Sequence, residues 1–201
     1  FELMEYMKLS MEDIKDIVDI HKISFKNFFL SSLGTHFLKV YYKAVLKSQL
    51  SVCIGGKENG ILKGFCVGTT LARGFHKGLL KDNFVSFLWS LGYVCMVRPN
   101  SIIRLFRNLE KRSSIVPDDG NYAELLSIAV LPNASNKGIG HSLLRVFEKE
   151  MKAMGVSKVV LTTDSTSNDN VINFYQKNGF EVLYKFVTYP NREMYKLIKE
   201  L

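Results

Sequence analysis

The chain has 201 residues, 47% of them hydrophobic and 23% charged, which suffices for one domain with a sizeable core. Those fractions exclude a disordered or low-complexity chain. The net charge of +8 favours anionic partners, a class that takes in phosphate-bearing small molecules, nucleic acid and membrane surfaces alike. Cys53, Cys66 and Cys95 are an odd, sparse set without metal spacing, which points to a reducing, cytoplasmic compartment. No secretory pattern is visible from Phe1 on, and there is no internal repeat.

Ser10-x-x-Asp13 is a capping pair that predicts a helix with Ile14, Ile17, Val18 and Ile23 on one face. Phe25 to Gly34 is aromatic and too irregular for a helix, so a loop is expected. A second helix is predicted from about Thr35 to Ser48, with Leu38, Tyr41, Tyr42 and Val45 inward. Ser51–Gly56 and Ile61–Thr70 flank Asn59-Gly60, a hairpin signal, so they form an antiparallel pair. Cys53 and Cys66 then sit on neighbouring strands, as small core residues rather than a redox pair.

Residues 71–116 are interrupted by Gly74, Gly78, Gly92 and Pro99. Phe84 to Val97 is apolar but falls short of the roughly 18 residues a membrane span needs. From Arg73 to Arg112, eight Lys/Arg stand against Asp82 and Glu110, a net +6 of the chain's +8. Three uses fit: a packed helical insert, which is favoured, a subunit contact as in a homodimer, or an amphipathic face on an anionic bilayer. Nucleic acid is not expected, because no aromatic–basic interleaving or recognition helix is evident.

Tyr122 to Val130 is a β-branched and aliphatic run ended by Pro132, and Asn133 to Lys137 is turn chemistry. From Ile139, apolar residues recur at helical spacing through Leu143, Val146, Phe147, Met151 and Met154, and Gly155 stops the helix. A glycine-bearing loop thus opens a helix straight after a strand. The first amides of that helix lack internal partners and lie at the positive end of its dipole, an anion site suited to phosphate. No Lys-Ser/Thr follows the glycines as in a Walker loop, and Leu143 breaks the dinucleotide pattern GxGxxG. Lys158–Thr163 is a strand, parallel to the previous one if the helix is a crossover. Asn168 to Phe180 holds a short helix with Val171, Phe174 and Tyr175 on one face and Gly179 as its stop. Glu181–Tyr189 and Glu193–Ile198 form a closing hairpin around Pro190-Asn191-Arg192.

The stretch AELLSIAVLP, five residues, then GIGHSLL resembles the acetyl-CoA-binding motif of the GNAT N-acetyltransferase superfamily. Ser135 stands where that family usually has Arg or Gln. The segment NDNVINFYQKNGF resembles a second GNAT signature: Asn168, Tyr175, Lys177, Gly179 and Phe180 match, and Val171 replaces the usual Ala. Together the two signatures cover about 60 residues. The resemblance implies one domain over residues 1–201 with the GNAT fold: α/β, a mixed central sheet with splayed strands flanked by helices, here with an insert at 71–116. It implies acetyl-CoA as co-substrate and no metal.

By that resemblance, backbone groups of Ile128, Ala129 and Val130 bond the pantetheine arm. Main chain from Ser135 through Asn136, Lys137, Gly138 and Ile139 to Gly140 surrounds the pyrophosphate. Asn168 contacts pantetheine or caps its helix. Tyr175 donates to the sulfur as general acid, with core packing as the alternative. Phe28, Phe29 and Leu33 line the acceptor pocket or plug the core, and Tyr189 closes the acceptor side. The base is Glu124, where the histone acetyltransferase branch carries a glutamate. Strand alternation puts it on the face of Leu126, Ile128 and Val130, and burial would raise its pKa. A plain ion pair with a lysine is the alternative, and Asp164 is the second candidate, with a helix cap as its own alternative. The four histidines make no ligand spacing. The implied activity is direct acetyl transfer to an amine of a small molecule, amino sugars included, or of a peptide. A phosphate-bearing acceptor suits the basic insert. The rival is a non-catalytic acyl-CoA-binding module whose basic insert docks on a membrane or partner.

Overall fold

The computed structural model describes residues 4–26, 28–97, 119–135, 137–188 and 191–201, with only the backbone of Phe29. Seven strands form one sheet: β1 (Met4–Lys8), β2 (Ser51–Glu58), β3 (Ile61–Thr69), β4 (Ala123–Val130), β5 (Lys158–Asp164), β6 (Glu181–Thr188) and β7 (Arg192–Glu200). Their order is β1-β2-β3-β4-β5-β7-β6. Every neighbouring pair is antiparallel except β4 and β5. The helices are α1 (Ile14–Ser24), α2 (Phe29–Ser32), α3 (Gly34–Lys47), α4 (Phe75–Asp82), α5 (Phe84–Val97), α6 (Ile139–Ala153) and α7 (Asp169–Lys177). The family fold expected from the two signatures is present.

Two cores sandwich the sheet. On one face α1 and α3 bury Ile17, Val18, Leu38 and Tyr42 against Phe65 and Val67. On the other, α6 buries Leu143, Leu144, Phe147 and Met151 against Val159, Leu161 and Leu197. Two neighbouring strands can run parallel only through a crossover, and α6 supplies it between β4 and β5. Asn59 (φ 53) and Gly60 (φ 78) close the β2–β3 hairpin as the dipeptide predicts. Cys53 lies opposite Val67 and Cys66 opposite Ile54, so the two thiols point to opposite faces and pack in different cores.

Several expectations need correction. The stretch after Phe25 contains the single helical turn α2, too short for periodicity to reveal. Ile23 is 43% exposed; the buried face of α1 runs through Ile14, Ile17, Val18 and His21, the i, i+3, i+4, i+7 set. Met154 lies beyond the end of α6 and Val171 on the outer side of α7, and both are exposed. The edge strand β1 carries no signal that the sequence reading used. The 71–116 segment supplies α4 and α5, α5 packing Phe87 on Phe37 of α3 at 5.7 Å between rings. Residues 98–116, the rest of that segment, lie outside the described residues.

His21 enters the core because Tyr42 shares a hydrogen bond with its Nδ1 at 2.7 Å, and Tyr42 also bonds Ser127 of β4. Its Nε2 has no partner among the described residues. Burial pushes the imidazole down from the ordinary 6.5 to about 4, so it is neutral at pH 7. The unfolded chain binds a proton that the fold refuses. Stability from this group is therefore complete above about pH 6.5 and is lost as pH falls toward 4. The loss amounts to about 3 kcal/mol. Urea midpoints measured across that window should fall steeply in the wild type, and the slope should flatten in His21→Gln.

Candidate active site

The parallel pair β4–β5 is joined only at Ala123↔Val159 and Glu124↔Val160. Beyond Glu124 the strands part, leaving a wedge between them. The cause lies on the other edge of β4. Its register with β3 shifts between Val67 and Gly68, so Leu126 is an extra residue and β4 bends. The bend is seated by Gly68, where a Cβ would stand 2.5 Å from Phe147 of α6 and 2.5 Å from the Glu124 carbonyl. Meanwhile β5 stays straight, held to β7 by seven consecutive pairs from Lys158↔Glu200 to Asp164↔Met194. One strand bends, its neighbour does not, and the sheet opens.

The Leu131 amide donates to the Lys63 carbonyl of β3 at 2.8 Å. Alternation back along β4 turns the Ala129 amide and carbonyl toward β3 as well. Those of Ile128 and Val130 turn into the wedge. Of the three residues expected along a pantetheine arm, two offer backbone hydrogen bonds there. Ala129 is 6% exposed and serves the core.

The mouth of the wedge is the N-terminus of α6. Gly138 is its N-cap at φ 77, ψ 0, a left-handed conformation that suits glycine, and no side chain caps the helix. The first bond onto the helix runs from Ser142 to the Gly138 carbonyl, leaving the amides of Ile139, Gly140 and His141 as the open set. The expected set ends at Gly140; helix geometry adds His141. At the other end Ser135 drops out. Its amide donates to Pro132 and its hydroxyl to Leu131, closing the short turn that follows β4. Lys137 is exposed beside the loop, and Asn136 lies outside the described residues. A Cβ on Gly140 would stand 3.5 Å from Phe174 of α7 and 3.8 Å from Val130, so both sides of the wedge converge here. The His141 ring is tied to the Asn178 side chain at the end of α7.

Tyr175 projects from α7 into the α6-side core, 7% exposed, with its ring 5.3 Å from Phe174 and 5.6 Å from Phe180. Burial, with the Cys66 thiol nearby on β3, pushes its phenol well above the usual range. It therefore keeps its proton at neutral pH. Its hydroxyl makes no hydrogen bond among the described residues. Burial likewise raises Cys53 to about 12, and Cys66 well above the usual thiol range. Neither offers a thiolate nucleophile near pH 7.

Asn168 does not cap α7 with its side chain. Its amide reaches back to the Thr163 hydroxyl (2.8 Å) and the Asp164 carbonyl (3.0 Å), fixing the far end of β5. Asp164 does not cap either. Both its oxygens accept from the Arg192 guanidinium, Nη2 at 2.6 Å, which leaves it poorly placed as a base.

Glu124, at the apex of the wedge, is half-buried. It shares a face with Leu126, which packs on the α1–α3 core, as expected. It does not share one with Ile128 and Val130, which pack on the α6 core. The bulge at Leu126 inserts one residue and inverts the alternation. Glu124 thus faces α3, where its charge helps raise Tyr41, already raised by burial. Tyr41 in turn stacks near His76 of α4, 6.4 Å between rings. Glu124 and Tyr175 consequently lie on opposite faces of the sheet with the wedge between them.

The Glu124 face continues across β5 and β7. Lys196, 6% exposed, donates to the Tyr122 hydroxyl and lies 4.5 Å from that ring and 5.6 Å from Tyr184. Arg192 places its guanidinium 4.6 Å above Phe28, clamping the loop after α1 to the β6–β7 hairpin. Phe28 is thus at this face as expected. Leu33, 2% exposed, takes the other expected place: it plugs the α1–α3 core on this face and lines a cavity of about 330 Å3. That cavity is lined by residues of α3, α5 and the turn before α3, and by none of β4 or β5. The Phe29 side chain and Tyr189 lie outside the described residues. Tyr41, Tyr122, Lys196 and Arg192 carried no motif; only the strand register and helix packing bring them together.

The sequence profile of the acetyltransferase (GNAT) family matches residues 15–180. No curated protein sequence matches. Among solved structures, the ribosomal-protein-S18-alanine N-acetyltransferase from Escherichia coli superposes with a TM-score of 0.63 at 16% identity, covering 98% of this chain and 94% of its own. The PaiA N-acetyltransferase from Thermoplasma acidophilum, in complex with coenzyme A, gives 0.56 at 19% identity, covering 99% of both. An N-acetyltransferase from Staphylococcus aureus Mu50 gives 0.64 at 17% identity and 98% of both. At these identities the likeness is one of fold, and the profile match is what fixes the family. The splayed β4–β5 pair, the uncapped helix at its mouth and that match across residues 15–180 together establish that the chain belongs to the acetyltransferase (GNAT) family.

Proposed function

We infer that the protein transfers the acetyl group of acetyl-CoA directly to an amine, carried by a small molecule such as an amino sugar or by a peptide. The observation that carries this reading is the wedge, with open α6 amides at its mouth and Glu124 and Tyr175 on opposite faces of the sheet. The pyrophosphate sits on the amides of Ile139, Gly140 and His141, where the helix dipole favours negative charge. The pantetheine arm runs down the wedge and pairs with Ile128 and Val130 as a missing strand would. The amine approaches from the Glu124 side. Its lone pair attacks the thioester carbon, a C–N bond forms, and the tetrahedral intermediate collapses by breaking C–S. The amine proton leaves toward Glu124, through a water where the reach is long. The thiolate takes a proton from Tyr175. Burial raises the phenol, which keeps its proton until the thiolate forms.

The acceptor face carries Lys196 against the rings of Tyr122 and Tyr184, which supports an amine that also bears a carboxylate or phosphate. The test is release of free thiol from acetyl-CoA across a panel of amino sugars, amino acids, polyamines and short peptides. Release with none of them would favour an acyl-CoA-binding module without turnover. With an active acceptor in hand, Glu124→Gln should lower kcat/KM about tenfold near pH 7. It should also move the pH profile upward, since the amine must then lose its proton to bulk water.

A further inference from the structure

Helix α5 is 14 residues long, about 21 Å, and holds no charged residue. One side is used: Phe87, Ser90 and Val94 are buried against the body of the protein. The other side is not. Phe84, Leu88 and Met96 form one row at four-residue spacing, with Gly92 in the remaining place, and Val85, Trp89 and Tyr93 form the next row. These six side chains are 50% to 80% exposed, Trp89 at 76% and Met96 at 80%. An apolar stripe running the whole length of a helix is larger than the scattered exposure normal for a monomer.

Its surroundings say what covers it. Lys77 and Lys81 of α4 are exposed immediately before it, and residues 73–82 hold Arg73, Lys77 and Lys81 against Asp82, a net +2. Interfaces between proteins are depleted in lysine. An apolar face bearing Trp and Tyr next to the two exposed lysines of α4 matches the boundary between acyl chains and anionic headgroups instead. Among the described residues no helix is long and apolar enough to cross a membrane, so the stripe would lie along the surface. We propose that α5 docks this protein on an anionic lipid bilayer, the stripe entering the acyl boundary and the α4 lysines meeting lipid phosphates. The proposal goes beyond the transferase reading and does not depend on it.

Trp89 is the chain's single tryptophan, so its emission reports on the stripe alone. Vesicles of mixed phosphatidylglycerol and phosphatidylcholine should move that emission to shorter wavelength and sediment the protein. High salt should reverse both effects. Lys77→Ala and Lys81→Ala should each weaken partitioning about fivefold. Leu88→Ser with Met96→Ser should abolish it while far-UV circular dichroism and the acetyl-CoA thermal shift stay unchanged. Four results would overturn the proposal: no response to anionic vesicles; equal binding to phosphatidylcholine alone; lipid-free emission that moves to shorter wavelength with protein concentration, meaning a second copy covers the stripe; or lipid-free emission already at short wavelength and indifferent to vesicles, meaning the chain covers it itself.

Discussion

Tyr175→Phe should cut turnover by about two to three orders of magnitude while leaving acetyl-CoA binding and the fold intact. The hydroxyl has no hydrogen-bond partner among the described residues, so its removal strands no buried group, and the ring contacts with Phe174 and Phe180 persist. The stability change should stay within about 1 kcal/mol. What is lost is the proton for the departing thiolate. The loss should therefore appear in kcat, with KM for acetyl-CoA nearly unchanged, because the bond forms only as C–S breaks. A steady-state comparison of the purified variant with the wild type reads both numbers. Activity equal to wild type would move the acid to another group.

Gly138→Glu should remove the thermal stabilisation by acetyl-CoA. For the wild type at a hundredfold excess over Kd, binding adds about 2.7 kcal/mol, which for a chain this size is a rise of about 5–10 °C in Tm. The substitution acts twice. A side chain at φ 77 strains the turn by about 1–2 kcal/mol, lowering the Tm of the free protein by a few degrees. A carboxylate beside the open amides then competes with the pyrophosphate for the same positive potential. Lys137→Glu separates the two effects, since that residue has no positive φ and is the chain neighbour of Gly138. It should keep the wild-type Tm of the free protein and lose part of the ligand shift. An undiminished shift in Gly138→Glu would place the diphosphate elsewhere.

The parts of the site legible in sequence are those that local backbone chemistry dictates. A strand ended by Pro132, a left-handed Gly138 and an amphipathic helix stopped at Gly155 leave no freedom about where the open amides fall. The Asn59-Gly60 hairpin is legible for the same reason. Readings that extrapolated a period across a break failed. Glu124 was aligned with Ile128 and Val130 by counting in twos, and the bulge at Leu126 added one to the count. Ile23 was assigned inward by its apolarity, yet the helix presents His21 there instead, made tolerable by the hydroxyl of Tyr42. Asp164 reads as a second candidate base and Asn168 as a helix cap from their residue types. Arg192, 28 residues further on, claims the first, and the end of β5 claims the second.

The family signatures, the β2–β3 hairpin and the anion-binding helix start were legible in the chain, because each depends on residues adjacent in it. Only the tertiary structure decided which side of the sheet Glu124 and Tyr175 occupy, that Lys196 and Tyr122 meet 74 positions apart, and that one face of α5 is left uncovered. Those outcomes depend on register, on a single inserted residue in β4 and on how helices share the two faces of the sheet. None of these is a property of any short stretch. A β-strand fixes only alternation, and which face each alternate residue meets is set by the strands and helices that pack against it.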